Sequence, residues 1–181
     1  MAHSAGIRIR HRDSGNEKRE VCACKGGGYT ETLIRLTELM TLVEEVFTYS
    51  PQDLADFDAL MHELSATSFC NEELLNNALN DVNVHVYVIR DEEHIVATGT
   101  LCIKHTLEFT SADIESVVVS FKCRGLGYGK ELVTAMIEAA KKLNAHHIQL
   151  TSRPSRVAAN QLYQSLGFER YETNCYKMKR K

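Results

Sequence analysis

A glycine-rich loop between residues 124 and 130 has the composition of a phosphate-binding site. Its sequence is Arg124-Gly125-Leu126-Gly127-Tyr128-Gly129-Lys130. Glycine lets backbone N–H groups turn toward a ligand, and the unpaired N–H groups of a first helical turn present about half a positive charge. Arg124 and Lys130 add full positive charges at the two ends. The loop therefore predicts a site for a phosphate anion at the start of a helix.

Two common nucleotide-binding motifs need a different spacing. A P-loop has a glycine five positions before its Gly-Lys pair and a serine or threonine after it, whereas this chain has Arg124 and Glu131 there. A dinucleotide-binding fingerprint has the pattern GxGxxG, but Gly125 and Gly127 are followed by Lys130 at the third glycine position. The loop therefore fits neither motif.

The elements that position this loop are predicted from side-chain periodicity and from capping residues. Strands are expected at Val84 to Arg90, Ile95 to Lys104, Asp113 to Ser120, His147 to Ser152 and Tyr171 to Lys179. Helices are expected after Ser50 through Leu64, after Asn71, from the glycine loop through Leu143, and from Ser155 as cap through Leu166, with Gly167 at the C-terminus. The loop thus lies between a strand and a helix.

The composition predicts a soluble protein with one main domain. The chain has 181 residues, of which 44% are apolar and 25% are charged, and it lacks the run of roughly 20 apolar residues that crosses a membrane. Its net charge of -3 gives no general attraction to nucleic acid. The six cysteines form no disulfide framework and no apolar signal segment precedes them, so a cytoplasmic protein with reduced thiols is expected. Neither a membrane nor a nucleic acid is an expected partner.

The first thirty residues differ from the rest of the chain. They mix basic and acidic residues and end in three glycines, so residues 1–30 are expected to form a solvated, mobile extension and residues 31–181 the domain. Cys22 and Cys24 form a CxC pair, but no second pair or nearby histidine completes a tetrahedral set. No metal site is therefore predicted.

Two segments are similar to the cofactor motifs of one enzyme superfamily. The strand Ile114 to Val119 is followed by the pattern R-x-x-G-x-G that starts at Arg124. Downstream, Ala159 to Phe168 has the sequence Ala-Asn-Gln-Leu-Tyr-Gln-Ser-Leu-Gly-Phe. In this order and at this distance, the chain resembles the GNAT superfamily of N-acetyltransferases from about Val84 to its C-terminus.

The resemblance implies an α+β fold and a cofactor. The expected GNAT fold has a central mixed, mostly antiparallel sheet of about six to seven strands flanked by about four helices. The strand at Glu115 to Val119 is expected to splay from the strand at His147 to Ser152. The pantetheine arm of acetyl-CoA, the acyl donor, would enter that gap like an additional strand.

Several residues are expected to bind acetyl-CoA by this resemblance. They are Val117, Val118 and Val119 through the backbone, Arg124, Gly125, Leu126, Gly127, Tyr128, Gly129 and Lys130 around the pyrophosphate, and Asn160 and Tyr163 from the following helix. One backbone N–H near Val117 to Val119 could also polarise the thioester carbonyl.

Glu115 and Tyr163 are the candidate catalytic residues. Glu115 would accept a proton from an amine, directly or through water, and strand alternation predicts that it shares a face with Val117 and Val119. Tyr163 would donate a proton to the departing thiolate. Arg153 and Arg156, near the cleft, are interpreted as a solvated face, with binding of an acidic group on the acceptor as the alternative.

The predicted activity is direct acetyl transfer from acetyl-CoA to a primary amine of a small molecule. Acetylation of a protein N-terminus or lysine stays open, and so does a CoA-binding sensor without turnover. The sequence identifies no acceptor. The oligomeric state also stays open, with a homodimer as one option.

Overall fold

The computed structural model describes residues 43–178, and its elements are numbered within that range. The strands are β1 Val43–Val46, β2 Val84–Asp91, β3 His94–His105, β4 Thr110–Val119 and β5 His147–Leu150. The helices are α1 Pro51–Leu64, α2 Glu72–Asn80, α3 Tyr128–Lys142 and α4 Val157–Ser165, with a short 3-10 turn at Phe121–Cys123. The predicted extension of residues 1–30, with Cys22 and Cys24, lies outside this range. None of the helices between residues 43 and 178 is long and apolar enough to cross a membrane.

The sheet is mixed and mostly antiparallel, which confirms the predicted α+β class. Its strand order is β1-β2-β3-β4-β5, with antiparallel pairing from β1 to β4 and parallel pairing between β4 and β5. The described residues form five strands rather than the six to seven expected.

The predicted final strand is wrong for the part of it that the structure describes. Residues 171–178 have no regular secondary structure, and Lys179 lies outside the described range. Tyr171, Tyr176 and Met178 remain 85%, 89% and 94% exposed. A strand is stabilised by backbone pairing and by a face that it buries, and this segment gains neither from the described sheet.

Local capping explains where the first two helices begin. The Ser50 hydroxyl accepts a hydrogen bond from Asp53 N–H at 3.1 Å, and Asp53 Oδ2 accepts one from Ser50 N–H at 2.8 Å. Asn71 Oδ1 accepts from Leu74 N–H at 2.8 Å. Both starts were predicted correctly. For α4 the predicted cap is wrong, because Arg156 rather than Ser155 occupies the N-cap position and no side chain caps it.

The sheet separates two apolar layers. One face packs against α3, with Leu132, Val133 and Met136 fully buried, and the partly buried Tyr163 and Leu166 of the α4 region contact the same cluster. The other face packs against α1 and α2, where the central side chains are Phe57, Leu60, Leu75, Val88 and Val118. The glycine loop and α4 therefore lie toward one face, and α1 and α2 lie on the other.

Candidate active site

The strands β4 and β5 separate partway along their length. Their register runs from Ser111 opposite His147 to Ile114 opposite Leu150, where β5 ends. From Glu115 to Val119, β4 continues without a partner on that side among the described residues. An unpaired strand edge can form main-chain hydrogen bonds with an extended ligand.

A β-bulge interrupts β4 at the start of this free edge. Thr100 of β3 lies opposite Glu115, whereas Thr98 lies opposite Val118, so two steps along β3 match three along β4. Within the bulge Ser116 has a φ of 54°, an unusual conformation for a residue other than glycine. The bulge adds one residue to β4 and reverses its alternation.

The predicted common face of Glu115, Val117 and Val119 is therefore wrong. Val117 and Val119 pack against the layer that contains α3. Glu115 lies on the opposite face, because its cross-strand partner Thr100 borders the space beneath α1 and α2. Val118 also packs on that opposite face. Alternation fails here because it assumes an uninterrupted ladder.

The glycine loop has the backbone geometry that its sequence predicts. Gly125 and Gly127 have φ values of 84° and 92°, and Gly127 is the N-cap of α3. A Cβ at Gly125 would meet open space, whereas a Cβ at Gly129 would lie 3.3 Å from Leu162 Cδ2. Gly125 and Gly127 thus provide the turn, and Gly129 allows α4 to approach the start of α3. Lys130 is exposed beside it.

The side chain of Arg124 already has partners within the protein. Its Nε donates a hydrogen bond to the Val119 carbonyl at 3.1 Å, and its Nη2 lies 3.3 Å from Glu63 Oε2. The guanidinium therefore braces the loop against β4 and α1, while the backbone N–H groups of the loop are the more direct donors to an anion.

Glu63, near the end of α1, is a site residue that the sequence did not reveal. Its carboxylate accepts hydrogen bonds from Phe121 N–H at 2.7 Å and from the Ser120 hydroxyl at 3.3 Å, besides its contact with Arg124. These donors follow it by 57 to 61 residues, so no local motif connects them. The available signal was an acidic residue in the last turn of a helix, where the macrodipole disfavours it and a tertiary partner is to be expected.

The environment of Glu115 makes it a stronger base than an ordinary glutamate. Glu115 remains exposed, yet partial burial of its carboxyl group raises its pKa, the nearby Asp113 carboxylate raises it further, and Lys104 lowers it. Lys104 is held 2.6 Å from Asp113, so its effect on Glu115 is partly offset by that carboxylate. A raised pKa favours proton acceptance in a general base.

Tyr163 lies on α4, next to Leu162, whose side chain lies beside Gly129 of the glycine loop. Its ring packs edge-on against Phe168, with the ring centroids 6.1 Å apart. Burial raises the pKa of Tyr163, and Arg156 lowers it in part. The phenol therefore stays protonated at neutral pH, as a proton donor must.

The remaining predicted residues near α4 have structural contacts. Asn160 Nδ2 donates a hydrogen bond to the Arg153 carbonyl at 2.9 Å and so braces the turn before α4. Arg156 is half-buried, and its Nη2 donates to the Leu64 carbonyl at 3.0 Å. The interpretation of a solvated face fits the exposed Arg153 but is wrong for Arg156.

The structure places these groups on both sides of the free edge of β4. The glycine loop and Tyr163 lie toward the α3 face, and Glu115 lies on the α1 and α2 face. Two reactants could approach the free edge from opposite faces of the sheet, one near the anion site and one near the carboxylate.

Comparison with known proteins gives one family match. The sequence model of the "Acetyltransferase (GNAT) family" matches residues 39–168, a span that includes the bulge, the loop and α4.

Solved structures have the same fold. A "putative acetyltransferase" from Agrobacterium tumefaciens str. C58 is 26% identical, with a TM-score of 0.67 over 76% of this chain and 99% of that one. A transcriptional regulator from Bacillus halodurans C-125 is 24% identical, with a TM-score of 0.65 over 75% and 97%. An aminoglycoside acetyltransferase from an uncultured soil metagenomic sample, in complex with sisomicin, is 22% identical, with a TM-score of 0.61 over 76% and 95%.

Proposed function

Because this chain belongs to the acetyltransferase (GNAT) family, we propose that it transfers the acetyl group of acetyl-CoA directly to a primary amine of a small molecule. The family match confirms the enzyme class expected from the sequence. The separation of β4 from β5 beside the glycine loop supports the choice of donor most directly. A pantetheine arm and a pyrophosphate need sites of these two kinds, a free strand edge and a helix N-terminus.

The donor would be held by the backbone more than by side chains. Backbone N–H groups of residues 125–130 would bind the pyrophosphate, and exposed Lys130 would add charge. The arm would pair with β4 along Val117 to Val119, and one N–H there would polarise the thioester carbonyl. Asn160 would form a further hydrogen bond to the arm.

Glu115 would prepare the acceptor. An alkyl ammonium group has a pKa near that of lysine, about 10.4, and must lose a proton before it can attack. Glu115 would accept that proton, directly or through water. The free amine nitrogen would then attack the thioester carbonyl carbon and form the C–N bond of a tetrahedral intermediate.

Tyr163 would assist the collapse of this intermediate. The C–S bond breaks with its electrons going to sulfur, and Tyr163 donates its phenolic proton to that thiolate. The nitrogen releases its second proton to solvent. Glu115 also gives its proton to solvent, and solvent reprotonates Tyr163. The products are an N-acetylated amine and free CoA, with no acyl-enzyme intermediate.

Acetyl-CoA binding is the first experimental test. At a hundred times its dissociation constant, acetyl-CoA should stabilise the fold by about 2.7 kcal/mol, measured as a rise in melting temperature. Thiol release should then follow addition of an amine. Binding without turnover on any amine or peptide would instead indicate a CoA-binding sensor, and turnover on peptides alone would indicate a protein acetyltransferase.

Two glycine variants localise the binding site. Gly125→Ala and Gly167→Ala both place a side chain at a positive φ, 84° and 90°, with no neighbouring atom within 4 Å of the added Cβ. The two variants therefore introduce a similar backbone strain. Only Gly125→Ala should weaken acetyl-CoA binding, by at least about tenfold, because it distorts the N–H groups of the loop. Equal loss in both variants would contradict the assignment of the loop.

A further inference from the structure

A cavity of about 150 Å³ lies between α1, α2 and the sheet face that contains Glu115. Its walls are mostly apolar and come from both helices and from the segment between them. Six of these side chains are Phe57, Met61, Phe69, Leu74, Leu75 and Ala78. We refer to this space as the apolar cavity.

One end of the apolar cavity is polar and adjoins Glu115. Thr100, the cross-strand partner of Glu115, lines the cavity, and so does Ser116, the next residue along the bulge. Thr98 lines it as well, but its hydroxyl already donates to the Tyr87 carbonyl at 3.0 Å. A ligand in this space would therefore have its polar end near the carboxylate and its apolar end between the helices.

The walls select against acceptors with several charges. Among the described residues that line the apolar cavity there is no aspartate or glutamate to pair with a second ammonium group. Burying an unpaired charge against such walls is costly. The space is open to solvent on one side, and its volume of about 150 Å³ is similar to that of an enclosed apolar cavity that holds one benzene ring.

Phe69 lies at the entrance of the apolar cavity. It lines the cavity, yet its side chain is 55% exposed between α1 and α2. An exposed aromatic ring beside an apolar recess gains contact area when an apolar ligand enters.

We propose that the acceptor is a primary amine with a single apolar group of about one aromatic ring, and that the apolar cavity binds this group. The inference rests on the proposed acetyl transfer, because it assigns the acceptor of that same reaction. The amine nitrogen would lie at the polar end, near Glu115, and the ring would lie between Phe57, Phe69 and Leu74.

A panel of amines tests the assignment. At saturating acetyl-CoA, kcat/KM for 2-phenylethylamine should exceed that for ethylamine by roughly ten- to a hundredfold, the gain expected from burying a side chain of this size. Spermidine and glucosamine should be poor acceptors. A preference for either of these two, or equal rates for 2-phenylethylamine and ethylamine, would overturn the assignment and leave the acetyl transfer intact. No turnover on any amine would overturn both.

Filling the cavity provides the matched comparison. Ala78→Leu adds a branched side chain inside the cavity, and Ala59→Leu adds the same group at an exposed position of α1. Ala78→Leu should raise KM for 2-phenylethylamine at least about tenfold and leave KM for ethylamine and acetyl-CoA unchanged. Ala59→Leu should change none of them.

Because Ala78→Leu could overpack the fold, Phe69→Ala at the exposed entrance serves as a second variant, with the same selective loss expected. An unchanged preference in folded Phe69→Ala would overturn the assignment.

Discussion

At the scale of single residues, Tyr163 can be tested as proton donor separately from its packing. Tyr163→Phe retains the ring that contacts Phe168 and removes only the hydroxyl. Turnover should fall by about 10² to 10⁴, the usual contribution of a general acid, while the dissociation constant for acetyl-CoA changes less than about twofold. Steady-state kinetics and calorimetric titration measure the two quantities. Tyr171→Phe, at an 85% exposed position, is the control. A parallel loss of binding and turnover would identify Tyr163 as a packing residue.

The pH dependence of catalysis should report the protonation of Glu115. Protonated glutamate cannot accept a proton, so kcat/KM should fall as pH decreases through a pKa that lies above the ordinary glutamate value of 4.5. Glu115→Gln should lower kcat/KM by about 10² or more. It should also remove this fall at low pH, which is the acidic limb of the profile of kcat/KM against pH. The exposed Glu108→Gln is the control. An unchanged acidic limb in Glu115→Gln would assign the limb to another group.

The neighbours of Glu115 should move this limb in opposite directions. Asp113 raises the pKa of Glu115, so Asp113→Asn should shift the acidic limb to lower pH. Lys104 lowers that pKa, so Lys104→Gln should shift the limb to higher pH. Profiles of kcat/KM against pH for one amine measure both shifts, since the titration of the amine itself is common to all variants. Shifts of the same sign would contradict an electrostatic origin.

At the scale of elements, the sequence predicted what depends on local interactions. The starts of α1 and α2 followed from Ser50 and Asn71, because a capping hydrogen bond spans three residues. The glycine loop at residues 124–130 was predicted for a similar reason, because its pattern lies within a few consecutive residues. The bulge at Ser116 has no local sequence pattern that predicts it. The extra residue becomes apparent only when β4 is paired with β3. The contacts of Glu63 were likewise unpredictable, since its partners are more than fifty residues away.

Glu63 connects α1 to the beginning of the glycine loop and should act as a positioning residue. Glu63→Ala removes the acceptor for Phe121 N–H and Arg124, so KM for acetyl-CoA should rise at least about fivefold, while kcat stays within about twofold. Glu63→Gln retains a hydrogen-bond acceptor and should restore most of the affinity. Glu138→Ala, which breaks an exposed ion pair on α3, is the control. A fall in kcat at constant KM would contradict a role in positioning the donor loop.

At the scale of the whole molecule, stability should depend on an ion pair that joins the first helix to the sheet. Asp53 caps α1 and also binds Arg90 at the end of β2, where Glu44 of β1 contacts the same guanidinium. Burial alone would raise the pKa of Asp53, but hydrogen bonds from Arg90 and Ser50 outweigh it and lower the pKa. A carboxylate with a lowered pKa in the folded state stabilises the fold above its unfolded pKa, and this contribution disappears as pH falls through the folded value.

Asp53→Asn should therefore destabilise the protein in a pH-dependent way. At pH 7 the free energy of unfolding should fall by about 2 kcal/mol, because the ion pair with Arg90 is replaced by a hydrogen bond from the guanidinium to a neutral amide. The difference from the wild type should begin to shrink below about pH 4, where Asp53 becomes protonated in the unfolded chain, and should vanish once the folded wild type is protonated too. Urea denaturation at a series of pH values measures it, with Asp91→Asn, at an exposed position, as the control. A destabilisation that stays constant down to pH 2 would mean that the substitution acts through the cap of α1, and not through the ion pair between Asp53 and Arg90.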